Sequence, residues 1–211
     1  IKRLTISRTI KTIGKYAFYN CSGISKLVIP DKTESIGLCA FANCKSIEEI
    51  NIPDSVSSIG ESAFSNTSGA KKLSIGAGLK DIPKEAFYNC TALTEITVPN
   101  TVETIGNSAF YGCSNVTNIT LPFVGASRDA VGYTSNFGYI FGYTTYASGY
   151  IDYKNLKVGD ICDSQTTNTI SNSVYYVYEI SSYRAYSQRY TYNTPDTINT
   201  VTITDATQIP S

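Results

Sequence analysis

The sequence contains no histidine, no methionine and no tryptophan, and only 16% of its residues are charged. The absence of histidine removes the commonest general base, the Ser-His and Cys-His nucleophile systems and most zinc sites. Lys plus Arg and Asp plus Glu number 17 each, so no net charge attracts nucleic acid or an anionic membrane surface. We therefore predict a protein that is not an enzyme, needs no cofactor or metal and has no nucleic-acid partner.

Long apolar runs are also missing. No stretch approaches the roughly 18 consecutive apolar residues of a membrane helix, so we predict no membrane insertion within these residues. The sequence has no signal peptide and no initiator Met, and position 1 already lies inside a repeat. We expect a part of a longer protein whose export or anchoring signals lie outside this stretch.

What the sequence does contain is a repeat with a period of 23 residues. Self-similarity at a fixed period of this length is typical of proteins built from stacked repeats. Isoleucine and alanine columns keep the same spacing as a column of phenylalanines, which we predict to stack in the core: Phe18, Phe41, Phe64, Phe87 and Phe110.

The first part of each repeat has the pattern of a β-strand. Five full repeats and the start of a sixth occupy residues 1–122, and segments such as ISKLVI at 24–29 alternate apolar and variable positions. This alternation places Leu27 and Ile29 on one face of a strand and Lys26 and Val28 on the other. Stacked repeats then form a parallel sheet.

The second part of each repeat has a different spacing. Ile36, Ala40, Phe41 and Cys44 lie four, one and three positions apart, which is a helical stripe. We predict about two turns of α- or 3₁₀-helix on the opposite, convex side of each repeat.

After residue 122 the repeat is interrupted. Residues 123–197 carry 13 of the 17 tyrosines, and FGYIFGY at 137–143 and VYYVYEI at 174–180 are rich in residues that favour strands. The opening pattern of the repeat returns as INTVTIT at 198–204. We predict a β insertion over 123–197, followed by a partial repeat over 198–211.

Four of the six cysteines share one repeat position: Cys21, Cys44, Cys90 and Cys113. The third repeat has Thr67 there, so the position favours a small buried side chain over a disulfide partner. Cys39 and Cys162 lie off this position, and the pattern does not place them.

With these residues in view, the repeat resembles the BspA-like leucine-rich repeats of bacterial surface antigens. The unit VETIGNSAFYGCSNVTNITLP carries the resemblance, which covers 1–122 and 198–210. It implies an α/β leucine-rich-repeat solenoid, with a parallel β-sheet on one face, short helices or 3₁₀ turns on the other, and here a Tyr-rich β insertion. It also implies an extracellular or cell-surface protein that binds host or bacterial partners such as matrix proteins.

Two sets of residues are candidates for partner binding. On the free face of the predicted sheet, Lys26, Glu49, Lys72 and Glu95 form a column of alternating charge. This column equally suits a self-neutralised ladder that maintains strand register. The second set consists of insertion tyrosines, which suit either an interface or the packing of a β subdomain: Tyr139, Tyr143, Tyr176 and Tyr178.

The preferred function is adhesin-like protein recognition without catalysis. Two alternatives remain open: a carbohydrate-binding module that uses the insertion, and a structural spacer within a larger surface protein. Because neither end carries a polar capping repeat, we also expect self-association through the ends.

Overall fold

The computed structural model describes residues 4–130, 137–151, 174–181, 184–192, 195 and 197–204. Each repeat forms one coil of a solenoid, and the strands of successive coils lie side by side. The strands are β1 (Thr12–Ile13), β2 (Ser35–Ile36), β3 (Glu49–Ile52), β4 (Ser58–Ile59), β5 (Lys72–Ile75), β6 (Asp81–Ile82), β7 (Glu95–Thr97), β8 (Thr104–Ile105), β9 (Asn118–Leu121), β10 (Tyr143–Ile151), β11 (Val174–Ser181), β12 (Arg184–Tyr192) and β13 (Thr200–Ile203).

From the third repeat on, the leading strands pair in parallel as predicted, in two groups, whereas the strand predicted over 24–29 is reduced to a single bridge residue, Lys26. β3 pairs with β5, and β9 lies between β7 and β13. Partners are one repeat apart, as in Glu49 opposite Lys72 and Glu95 opposite Asn118. In β3 the exposed and buried positions alternate as the sequence predicts, with Ile50 and Ile52 buried. The solenoid prediction is confirmed.

A second set of parallel strands was not predicted from the sequence. These strands are only two residues long, and they pair in the orders β1-β2-β4 and β6-β8. Each buries its isoleucine and leaves a polar residue outside, as in Thr12 and Ile13 of β1. Two residues are too few for an alternation pattern to stand out, which explains why the sequence did not reveal them.

The convex segment differs from the predicted helix. Between residues 4 and 130 the structure has no helix, and this segment is a run of β-turns. Ala17 N donates to Gly14 O, but the next amide, Phe18 N, donates to Ala40 O of the following repeat. Alternate amides leave the coil in this way, whereas a helix would use every amide within its own segment. The helical stripe therefore marks buried positions, and the helix prediction was wrong.

The core contains the predicted phenylalanine column. Ring centroids of successive phenylalanines lie 5.2–5.7 Å apart with interplanar angles of 9–14°, from Phe18 to Phe110. Phe41, Phe64, Phe87 and Phe110 are fully buried, while Phe18 in the first coil is half-buried. The spacing follows the roughly 4.8 Å separation of hydrogen-bonded strands, so the sheet sets the stacking distance.

A 3₁₀ helix over Phe137–Phe141 completes the sixth coil. The prediction of a strand over 137–143 was wrong for these five residues, because the chain turns here to bury Ile140 and Phe141 in the repeat core. Phe110 N donates to Ile140 O as Phe87 N donates to Ala109 O in the coil before. Ile140 thus takes the place of the repeat alanine.

Beyond Gly142 the chain forms a three-stranded antiparallel sheet with the order β10-β12-β11. β11 confirms the strand predicted over 174–180. The chain is back in the coil by Pro195, whose carbonyl accepts from Ile198 N as the Cys113 carbonyl accepts from Val116 N. β13 then pairs in register with β9, with Thr200 opposite Asn118.

Candidate functional site

The exposed face of the leading sheet is the most regular surface of the solenoid. We call it the sheet face, and it has two columns of side chains. The first column is Glu49, Lys72, Glu95, Asn118 and Thr200, and the second is Asn51, Ser74, Thr97, Thr120 and Thr202. Nine of these ten side chains are exposed and Thr120 is half-buried. The second column holds only short polar side chains, so this part of the face is low and flat.

Three residues of the predicted charge column, Glu49, Lys72 and Glu95, lie on the sheet face, and Lys26 lies one repeat before Glu49, outside the strands. Glu49 and Lys72 occupy paired positions on β3 and β5. Among the described residues, no ion pair within 4.0 Å joins Lys26, Glu49, Lys72 or Glu95. Asn118 Nδ2 donates to Glu95 Oε1 over 3.5 Å. These charged side chains are therefore exposed to solvent and form no ion pair with one another.

Ion pairs between repeats occur in a different column, which the sequence reasoning missed. Lys11 Nζ lies 2.8 Å from Glu34 Oε1, and Lys80 Nζ lies 3.5 Å from Glu103 Oε1. The hydrogen bond and charge of Glu34 raise the pKa of Lys11. The signal was available, since each pair is separated by one 23-residue period. All four side chains are more than half exposed, so these pairs contribute little to stability.

Two of the predicted residues line one shallow cavity. Lys26 and Glu49 border a hollow of about 440 Å³ between the second and third coils, together with Asp31 and Asn51. A second hollow of about 710 Å³ lies beside it, toward the first coil. Val28 lies between them and is 57% exposed, the largest exposed fraction among the exposed large apolar side chains. The first hollow therefore borders the sheet face at Glu49 and Asn51, and the second lies beyond it.

The predicted tyrosines belong to other elements than the strands of the sheet face. Tyr139 is half-buried against the solenoid core, and its carbonyl accepts from Ser108 N and Asn107 Nδ2. Tyr143 begins β10 opposite Tyr192 of β12. Tyr176 and Tyr178 share one face of β11. The eight predicted residues therefore lie in four places: the second coil beside the hollow, the sheet face, the 3₁₀ helix and the insertion sheet.

The cysteine column is structural, as predicted. Cys44 Sγ donates to Phe18 O over 3.1 Å, and Cys90 and Cys113 donate to Phe64 O and Phe87 O over 3.4 Å. Thr67 Oγ1 makes the equivalent bond to Phe41 O, which explains why the position accepts Cys or Thr. Burial raises the pKa of Cys44 to about 11 and that of Cys113 to about 12. Such thiols are poor nucleophiles.

The two remaining cysteines, Cys39 and Cys162, lie off the repeat column. Cys39 is free, half-buried and in the left-handed region with φ of 52°. Burial and the neighbouring Glu85 raise its pKa. Cys162 lies outside the described residues. Among the residues described, no group of three or more His, Cys, Asp or Glu could hold a metal ion.

None of the helices in the described ranges has the length and hydrophobicity to cross a bilayer.

Comparisons with solved structures support the fold. The chain is 27% identical to a leucine-rich repeat protein of T. pallidum, with a TM-score of 0.52 over 54% of this chain and 53% of that one. It is 32% identical to a leucine-rich cell surface protein of Faecalibacterium prausnitzii, with a TM-score of 0.50 over 52% of this chain and 29% of that one. A leucine-rich repeat protein of Eubacterium ventriosum matches with a TM-score of 0.54 and 24% identity over 65% of this chain and 41% of that one, which supports the fold alone. The chain thus spans about half of the first of these proteins and less of the others.

No curated protein matches the sequence. The model of the BspA type leucine rich repeat region matches residues 1–128 in six copies. These copies cover the coils whose strands, turns and phenylalanine column are described above. The chain belongs to the BspA-type leucine-rich repeat family.

Proposed function

We propose that the chain is a non-catalytic recognition scaffold that binds a protein partner on its sheet face. The observation that carries this proposal is the set of in-register exposed charges without ion pairs described above. Glu49, Lys72 and Glu95 present alternating charge beside a low polar column. Complementary charges across an interface fix the partner's register and raise the association rate. A repeat scaffold offers such a surface without a catalytic group.

The proposed location is the cell surface or the extracellular space. The support comes from the family and from the F. prausnitzii structure, which is titled a cell surface protein. Matrix proteins such as fibronectin and fibrinogen are the proposed partners. Tyr139, Tyr143, Tyr176 and Tyr178 are proposed as additional contact residues outside the sheet face.

The proposed domain organisation is a solenoid with a β insertion. Pairing of β13 with β9 supports a return to the solenoid at 198. Phe123, Ile140 and Phe141 are buried in the solenoid core, which supports a start of the insertion sheet after Gly142 and not directly after residue 122.

Binding to immobilised fibronectin and fibrinogen tests the proposed function. Lys72→Ser removes a sheet-face charge that has no ion pair, while Lys80→Ser removes the same charge from the outer ion-pair column. We expect Lys72→Ser to weaken binding about tenfold, because Lys72 lies inside the proposed interface. Lys80→Ser should leave binding within about twofold, because Lys80 lies outside that interface and exposed charges there contribute little. A third form, with 143–194 replaced by one glycine, reports on the insertion.

Each outcome has a defined meaning. Binding that depends on Lys72 supports recognition by the sheet face. Equal loss in Lys72→Ser and Lys80→Ser contradicts a sheet-face site, and loss only on removal of 143–194 moves the site to the insertion. If the unmodified chain binds neither protein, matrix adhesion is the wrong function.

A further inference from the structure

The convex segment carries a short aromatic ladder of its own. Tyr88 and Tyr111 lie one repeat apart, and their rings stack with centroids 4.7 Å apart and an interplanar angle of 7°. Both side chains are half-buried. The matching position in the third coil is Ser65, which is small and buried. The tyrosine ladder therefore ends at Tyr88, whereas the phenylalanine column of the core continues through the third coil.

The ring of Tyr88 has one covered face and one free face. Successive coils are about 4.8 Å apart, so rings that stack from coil to coil turn their faces along the axis of the solenoid. Tyr111 covers the face of Tyr88 on the side of the fifth coil. On the side of the third coil, no described residue stacks a ring or places a cation on Tyr88. A flat apolar surface is therefore open above Ser65.

Polar side chains of the third and fourth coils surround this surface. Glu85 leans toward the third coil, where Ser62 Oγ donates to its Oε2 over 3.2 Å. Asn66 Nδ2 donates to Ser65 Oγ over 3.3 Å, and Asn66 Oδ1 accepts from Asn89 Nδ2 over 3.1 Å. We call the following group the Tyr88 slot: the free face of Tyr88 with Ser62, Ser65, Asn66 and Glu85.

The polar groups of the Tyr88 slot keep capacity for further hydrogen bonds. Ser65 Oγ accepts from Asn66, and its own proton has no acceptor among the described residues. Asn66 Nδ2 carries a second hydrogen, and a carboxylate oxygen such as those of Glu85 can accept more than one bond. The slot therefore offers donors and acceptors together, beside an aromatic ring.

The charge of the slot favours a neutral ligand. Lys84 Nζ lies 3.4 Å from Glu85 Oε1, so the carboxylate already has a counter-ion and does not select a cation. An anion would be repelled by the same carboxylate. A proline or another apolar side chain would cover the ring but leave the surrounding donors and acceptors unpaired, which costs affinity. A sugar ring combines an apolar face for the tyrosine with hydroxyl groups for the polar side chains.

We propose that the Tyr88 slot binds a neutral sugar residue of an oligosaccharide, with the apolar face of the sugar on Tyr88 and its hydroxyl groups on Glu85, Ser65 and Asn66. The slot belongs to the convex segment, and the sheet face belongs to the leading strands. The oligosaccharide is therefore a second ligand, with a different chemistry and a different place from the protein partner.

Calorimetric titration of the whole chain tests the proposal. The probes are hexamers of β-linked glucose, mannose, galactose and N-acetylglucosamine, together with a proline oligomer and tetramethylammonium. We expect at least one hexamer to bind, and the proline oligomer and the cation to bind at least about tenfold more weakly, since they leave the polar groups unpaired. Absence of binding to all four hexamers would overturn the proposal, as would equal or tighter binding of the proline oligomer or of the cation.

Two tyrosine variants locate the site. Tyr88→Ala removes the ring of the slot, and we expect it to weaken binding of the hexamer at least about tenfold. Tyr19→Ala is the matched control, because Tyr19 is exposed and occupies the same repeat position in the first coil. It should change binding less than about twofold, since it removes a surface side chain outside the slot. Equal effects of the two variants would contradict the assignment to Tyr88.

A third variant fills the slot. Ser65→Tyr extends the tyrosine ladder by one coil, at a position where the first, fourth and fifth coils already have tyrosine. Its ring would take the place of the sugar, so we expect binding to fall at least about tenfold while the melting temperature is kept. Unchanged binding by a folded Ser65→Tyr chain would overturn the proposal. If this variant unfolds, the comparison of Tyr88→Ala with Tyr19→Ala decides.

Fibronectin and fibrinogen binding through Lys72 is measured separately. Failure of the sugar site therefore leaves the sheet-face proposal standing, and the reverse also holds.

Discussion

At the scale of single residues, two columns explain the core. Each phenylalanine from Phe41 to Phe87 stacks between two others, so every ring is held on both faces. The thiols of Cys44, Cys90 and Cys113 each donate to the carbonyl of the phenylalanine one repeat earlier, and Thr67 does the same. Both columns could be predicted from the sequence because strict spacing and a Cys-or-Thr alternation are visible there. The thiol hydrogen bonds could not.

Truncation of one ring should destabilise the whole stack. Phe64→Ala removes a fully buried ring between Phe41 and Phe87, and we expect a loss of about 3–5 kcal/mol in the free energy of unfolding. Phe18→Ala is the control, because Phe18 is half-buried and stacks on one side. Urea unfolding measures both. Equal losses would show that the position in the stack does not matter.

The buried thiols give stability a dependence on alkaline pH. Burial raises the pKa of Cys113 from 9.0 to about 12, so the folded state keeps a proton that the unfolded state releases. The contribution is complete below pH 9 and is lost as pH rises toward 12. Between pH 8 and 11, we expect the free energy of unfolding of the unmodified chain to fall by up to about 2 kcal/mol more than that of the Cys113→Thr variant. Urea unfolding at several pH values measures this difference, and parallel curves for the two proteins would contradict it.

At the scale of elements, the alternation of apolar and variable residues predicted β3, β5, β7 and β9. The helix-like spacing of the second part of the repeat predicted a helix where the chain forms turns. The positions of Ile36, Ala40, Phe41 and Cys44 are buried as a helix would bury them, yet the backbone is a series of turns. A better signal lies at Asn20, Asn43, Asn66, Asn89 and Gly112, all with φ between 55° and 71°. Asn and Gly are the residues that adopt this conformation most readily. A column of Asn and Gly therefore indicated turns.

The glycine column before these turns is required by the close approach of the preceding coil. A Cβ atom on Gly60 would lie 2.3 Å from Leu38 N, whereas a Cβ atom on Gly14 would meet nothing within 4 Å. We expect Gly60→Ala to destabilise the chain by about 1–3 kcal/mol and Gly14→Ala to change stability by less than about 0.5 kcal/mol. Thermal unfolding of both variants is the measurement. A Gly60→Ala variant as stable as Gly14→Ala would show that the coils can separate without cost.

At the scale of the whole molecule, the interruption of the repeat was visible in the sequence but its geometry was not. The period is lost after Leu121, while Ile140 and Phe141 still fill the core positions of a coil. Their spacing from Phe110 is irregular, so no periodic pattern reveals them. The eight candidate residues came from columns and composition. Neither could show that three lie on the sheet face and five elsewhere.

The insertion sheet should be removable. Gly142 N donates to Tyr139 O as Tyr111 N donates to Ser108 O, so Gly142 corresponds to Tyr111 and Pro195 corresponds to Cys113. In an ordinary coil, one residue separates the positions of Tyr111 and Cys113. We expect a chain with one glycine in place of 143–194 to keep a melting temperature within a few degrees of the full chain. Calorimetry measures it, and loss of cooperative unfolding would show that the insertion sheet is part of the core.

The hydrogen bonds between coils have a mechanical consequence. Tyr16 N donates to Leu38 O, Phe41 N to Ala63 O and Phe64 N to Ala86 O, so each coil is joined to the next along the axis of the stack. A force applied to the two ends of the chain therefore loads one boundary between coils at a time. Each detached coil of 23 residues releases about 80 Å of slack. Single-molecule stretching should therefore show evenly spaced steps of this length as the coils detach. Under fluid shear the molecule would lengthen coil by coil before the whole solenoid unfolded.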